Sequence, residues 1–158
     1  MKLNSSLKLI IAIVVCELAG IIGSLFTFSE IPSWYAWLVK PVLNPPSWIF
    51  GPVWTILYIL MGIAAFIIWN NGLARPDTRK ALQIFSLQLI LNATWSVVFF
   101  GLHNPGLALV NIALMWLAIV WTMVTFYKIS KPAMWLLVPY ILWVTFASYL
   151  NYSIMTLN

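Results

Sequence analysis

Charge is what this chain has least of. Eight basic and three acidic residues, 7% of the sequence together, cannot cover a water-soluble domain of 158 residues that is 63% apolar with a mean hydropathy of +0.99. The one histidine, one cysteine and three acids (Glu17, Glu30, Asp77) fall on different segments. That scatter argues against a metal cluster, a carboxylate pair or a nucleophile with a positioned base. No glycine-rich phosphate loop occurs either. A single cysteine rules out an intrachain disulfide. The net charge of +5 is divided among short segments with no basic stripe, so the chain has no nucleic-acid partner in this reading; the charges meet lipid headgroups instead. There is no internal repeat, which argues against a transporter built from two inverted halves.

What the chain does have is length without polarity. Five runs, at about 9–28, 48–69, 81–100, 107–127 and 132–154, each reach the roughly 20 helical residues that cross a hydrocarbon core. The expected fold class is therefore an all-α integral membrane protein, a five-transmembrane-helix bundle forming one domain over 1–158. Val15 before Cys16 and the continuation of the first run to Phe28 fit a membrane span better than a lipoprotein or secretory signal. Seven of the eight basic residues (Lys2, Lys8, Arg75, Arg79, Lys80, Lys128 and Lys131) fall on one side of such a bundle, and only Lys40 on the other. The positive-inside rule then puts the N-terminus in the cytoplasm and the C-terminus outside.

The connection from about Ser29 to Ser47 is the only long one. It carries Trp34, Tyr35 and Trp37, with Trp48 just beyond, and Pro41, Pro45 and Pro46 stiffen its backbone. A stiff aromatic loop running into an apolar helix reads as a lid over a site for a flat, apolar ligand. Four-residue spacing supports this inside the bundle. Gln88, Asn92 and Ser96, with Trp95 beside them, share one face of the third span; Phe50, Trp54 and Tyr58 share one face of the second; Trp143, Ala147 and Asn151 share one face of the fifth. Three aromatic walls, a few amides and one small residue fit an apolar pocket with orienting polar groups. The competing reading is that amides and aromatics only hold helices together.

Other residues point to packing. Glu17, near the middle of the first span, is expected to be an inward-facing structural group, neutral or hydrogen-bonded, with ion coupling as the alternative. Ala19 and Gly23 allow a close helix approach. Asn111 reads as a helix contact, His103 as a solvated turn residue, and Pro139 as a kink in the fifth span one turn before Trp143.

The runs WYAWLVKP and NPPSWIFGPVWTILYILMG, then LNATWSVVFFG and PYILWVTFASYLNYSI, closely resemble the translocator protein family, also called tryptophan-rich sensory protein (TspO/MBR). The resemblance implies a five-helix bundle, commonly a homodimer, that binds porphyrins such as protoporphyrin IX and synthetic aromatic ligands, and that needs no cofactor. It places the pocket beneath the first loop at Tyr35, Pro45, Phe50, Trp54, Tyr58, Asn92, Trp95, Trp143, Ala147 and Leu150. The family's cholesterol motif is incomplete: Leu150 and Tyr152 are present, but no basic residue follows them. That argues against cholesterol and favours a prokaryotic plasma membrane over a mitochondrial outer membrane. The expected function is a receptor or carrier for tetrapyrroles. Two alternatives stay open: light- and oxygen-dependent porphyrin breakdown involving Trp54 and Trp143, and ion-coupled transport.

Overall fold

A computed structural model describes residues 4–158; Lys2 of the basic set lies outside them. The described residues form helices and connections with no strand. They are α1 (Ser5–Thr27), α2 (Trp34–Trp37), α3 (Phe50–Asn70), α4 (Pro76–Ser96), α5 (Pro105–Ile129), α6 (Lys131–Trp135) and α7 (Val138–Leu157). Among the described residues, five stretches are long and apolar enough to cross a membrane: Ser5–Thr27, Ser47–Asn70, Pro76–Gly101, Pro105–Ile129 and Lys131–Leu157. The chain is a multi-pass membrane protein.

The spans run a few residues past the hydropathy limits because their ends are capped. Pro76 opens α4 with Asp77 in its first turn, where a missing N–H costs nothing and a carboxylate meets the positive end of the helix. Asn4 and Asn104 accept from the amides of Leu7 and Leu107, at 2.7 and 2.9 Å, and so cap α1 and α5.

Helix α1 packs on α3 and α4, α4 on α5, and α5 on α7, while α3 and α7 touch only lightly. The buried stripe of α1 is Ala12, Cys16, Ala19 and Gly23. Small residues there let the backbones close up, as the Ala19/Gly23 spacing predicts. Gly62 does the same on α3: a Cβ there would lie 2.6 Å from Cα of Ile13. This contact carries no sequence signal of its own, because nothing local says which helix faces Gly62.

The fifth span is interrupted earlier than expected. The helix breaks at Leu136 and Leu137 between α6 and α7, and Pro139 sits in the first turn of α7 rather than kinking the span near Trp143. A proline is tolerated in a first turn, so the chain puts the break before it. Span three ends in a π-turn, Val97–Gly101, in which the amide of Leu102 donates to the Val97 carbonyl at 2.9 Å. This wider turn buries both Phe99 and Phe100, although they are adjacent in sequence.

Candidate functional site

A cavity of about 430 Å³ lies in the half of the bundle that carries the α1–α3 connection. Helices α1, α3, α4 and α7 wall it. Its floor is a polar layer. Tyr58 on α3 donates to Oδ1 of Asn92 on α4, Asn92 donates to the hydroxyl of Tyr140 on α7 at 2.9 Å, and Tyr140 donates to Oε1 of Gln88 at 2.8 Å. Three helices are thereby fixed to one another at the depth where the cavity stops. Below this layer the bundle is filled by aliphatic and aromatic residues such as Met61, Leu89, Leu137 and Phe85. Tyr58 and Asn92 face the cavity, while Gln88, on the same face of α4, lies beneath it. Tyr58 has room for its ring because residue 20 is glycine: a Cβ there would sit 2.4 Å from Cε2 of Tyr58.

The walls are aromatic. The Trp54 ring stacks on Tyr58 with centroids 5.5 Å apart, and Phe50 meets Trp143 edge-on at 6.0 Å across the α3–α7 seam. Trp95 stacks on Phe99 at 4.9 Å, and its indole donates to Asn151 at 3.0 Å. Asn151 in turn donates to the Pro105 carbonyl at 2.7 Å, which locks α7 to the start of α5. The indole N–H of Trp143 is buried and has no partner among the described residues. Ile21 of α1, Phe28 just past its end, and Gly51 and Thr55 of α3 line the cavity and are also exposed, so they frame its mouth between those two helices.

Of the residues expected at the pocket, Tyr35, Phe50, Trp54, Tyr58, Asn92, Trp95, Trp143, Ala147 and Leu150 all line this cavity. Pro45 does not. Its carbonyl accepts from the side-chain amide of Asn44 at 3.1 Å, and Asn44 accepts the hydroxyl of Tyr35 at 2.9 Å. Pro45 therefore braces a lining residue from behind. Burial raises the phenol of Tyr35 above its ordinary range, and the Asn44 bond partly offsets this, so Tyr35 remains a neutral donor.

The first loop is less of an aromatic lid than its composition predicts. Tyr35 and Trp48 reach the cavity, but Trp37 is 88% exposed. Trp34 instead stacks on His103 with centroids 4.4 Å apart, and Nε2 of His103 lies 2.9 Å from Oε2 of Glu30. His103 is an exposed turn residue, as expected, and it also clasps the first loop to the α4–α5 turn. No group of three potential metal ligands occurs among the described residues. Asn111 donates to Thr94 at 3.0 Å, a contact between α5 and α4, as its position suggests. Sequence spacing misses the cavity's α1 wall, Glu17, Gly20 and Ser24, because small and isolated polar residues give no aromatic periodicity to detect.

Residues 12–157, nearly the whole chain, match the profile of the TspO/MBR family. The chain belongs to the TspO/MBR family. It is 47% identical over 152 residues to "Tryptophan-rich protein TspO" of Chlorobaculum tepidum, covering 96% of each chain. It is 45% identical to the protein of the same name from Archaeoglobus fulgidus, covering 96% of this chain and 97% of that one. Human "Translocator protein" is 39% identical over 141 residues, covering 87% of this chain and 82% of the human one. The bacterial and archaeal relatives are the more similar of these three.

Proposed function

We propose that this protein binds porphyrins and similar flat tetrapyrroles in the cavity and acts as a membrane receptor or carrier for them. The observation that carries this reading is an aromatic-walled space of about 430 Å³ formed by four helices of a membrane bundle. Phe50, Trp54, Trp95 and Trp143 offer ring faces and edges to a planar macrocycle, and the polar floor supplies orientation. The name translocator fits a carrier, and the name of another relative, the tryptophan-rich sensory protein of Cereibacter sphaeroides, fits a receptor. The test is a protoporphyrin IX titration of the detergent-purified protein, read by tryptophan fluorescence and by the porphyrin absorption band. Saturable quenching at about one porphyrin per chain is expected. Quenching that rises linearly, as it does for porphyrin dissolving in protein-free micelles, would overturn the reading.

Light-driven breakdown of the bound porphyrin is the second reading, supported by Trp54 and Trp143 lying on the walls of one cavity. Both indoles are oxidisable by the activated oxygen that an excited porphyrin generates. Product analysis after illumination in air separates a degrading enzyme from a binder.

We further propose that the protein sits in a prokaryotic plasma membrane with its N-terminus in the cytoplasm, on the strength of the seven-to-one division of basic residues. In a Cys16→Ser background, a cysteine at Ser33 is expected to react with an impermeant thiol reagent in intact cells, and a cysteine at Asp77 to be protected. The opposite labelling pattern would reverse the topology.

A further inference from the structure

Glu17 brings a carboxyl to the cavity wall beside Gly20 and Ser24, which lie on the same face of α1. Most other polar groups of the wall are already engaged within the protein. Ser24 donates to the Ile21 carbonyl at 2.7 Å, Thr27 to that of Gly23 at 3.0 Å, and Thr55 to that of Gly51 at 3.0 Å. Tyr58, Asn92 and Asn151 are held in the networks described above. Among the described residues, Oε1 of Glu17 is enclosed by the protein with no hydrogen-bond partner, and no Lys, Arg or His lines the cavity. Of the two states expected for Glu17, neutral or hydrogen-bonded, the hydrogen bond is missing at this oxygen.

A buried carboxyl oxygen without a donor is costly, and more so at membrane depth. Glu17 is half-buried, so its carboxyl can turn toward the cavity, and the cost falls when the occupant brings a donor to it; binding energy at Glu17 then depends on the occupant's chemistry and not only on its shape. An apolar cavity distinguishes poorly between molecules of the same outline, whereas a polar group left unpaired in one complex and paired in another distinguishes them well.

We propose that Glu17 is a specificity residue of this cavity: its carboxyl accepts a hydrogen bond from an N–H group on the edge of a flat aromatic ligand, so aromatic amines are selected over hydrocarbons of equal shape. The proposal rests on the reading of the cavity as a ligand site. It departs from the purely structural role that the sequence suggests for an isolated acid.

The experiment compares three probes of nearly equal outline on the full-length, detergent-purified chain: anthracene, aminoanthracene, and its N,N-dimethyl derivative, which has no N–H. Affinities are read from saturable probe fluorescence, corrected for partition into empty micelles. The wild-type protein is expected to bind aminoanthracene about fivefold more tightly than anthracene, the value of about one net hydrogen bond. The dimethyl derivative is expected to bind like anthracene. In Glu17→Leu the preference disappears while anthracene stays bound. Equal affinity of the wild type for the amine and the hydrocarbon overturns the proposal, as does a preference that survives in Glu17→Leu. The dimethyl probe decides the matter on the wild type alone if that variant does not fold. Failure of all three probes to saturate the wild type overturns the ligand-site reading, and this proposal with it.

Discussion

Replacing Ala147 with leucine is expected to weaken protoporphyrin IX binding about thirtyfold while leaving the melting temperature of the bundle within a few degrees of wild type. Ala147 is only half-buried and lines the cavity on α7, one turn from Trp143 and beside Leu150. The three added carbons enter space that a macrocycle needs, and close-packed walls of Trp54, Trp95 and Phe50 cannot retreat from them. The loss corresponds to about 2 kcal/mol of binding. Without ligand the same carbons fill a void, so stability is not expected to suffer. Fluorescence titration paired with a thermal melt measures both quantities. If Ala147→Leu binds porphyrin as tightly as wild type, the cavity residues are helix-packing contacts and the porphyrin binds elsewhere, for example on the lipid-facing surface.

Gly62→Ala is expected to do the reverse, destabilising the bundle by roughly 2 kcal/mol without placing an atom in the cavity. A Cβ at residue 62 lies 2.6 Å from Cα and 2.9 Å from the amide nitrogen of Ile13. These are backbone atoms, so no rotamer change relieves the overlap and α1 must move off α3. That cost exceeds the advantage of about 1 kcal/mol that alanine has over glycine inside a helix. Gly51→Ala is the control on the same helix: among the described residues, nothing beyond its chain neighbours and its own helix backbone lies within 4 Å of the added Cβ, so only the helix-propensity gain remains. A melt of the two variants in parallel separates collision from propensity. If Gly62→Ala melts with or above wild type, the α1–α3 crossing is looser than the structure describes.

The two variants probe different levels of the same fold, and they differ in how visible they were from sequence. Ala147 stands out in the sequence because it shares a four-residue spacing with Trp143 and Asn151, and a helix turns that spacing into a common face whatever surrounds it. Gly62 does not stand out. Its importance arises from Ile13, nearly fifty positions away, and the period of α3 says nothing about which residue of another helix will face it. Pro45 shows the same limit from the other side. Its position in a proline-rich loop beneath which the family's pocket lies suggests contact with the ligand, yet the loop folds so that Asn44 and Tyr35 intervene.

The sequence by itself determined the membrane class, the five spans and the inward faces of α3, α4 and α7, because apolar length and helical period are properties of consecutive residues. Only the tertiary structure decided how those faces are used. It joined Tyr58, Asn92, Tyr140 and Gln88 into a floor, turned Phe99 and Phe100 inward through a π-turn, and gave His103 to Glu30 and Trp34. It also brought Glu17 to the cavity wall with a buried oxygen left unpaired. Hydrogen bonds and close contacts join residues far apart in the chain, so their presence or absence is settled only when the helices are set against one another.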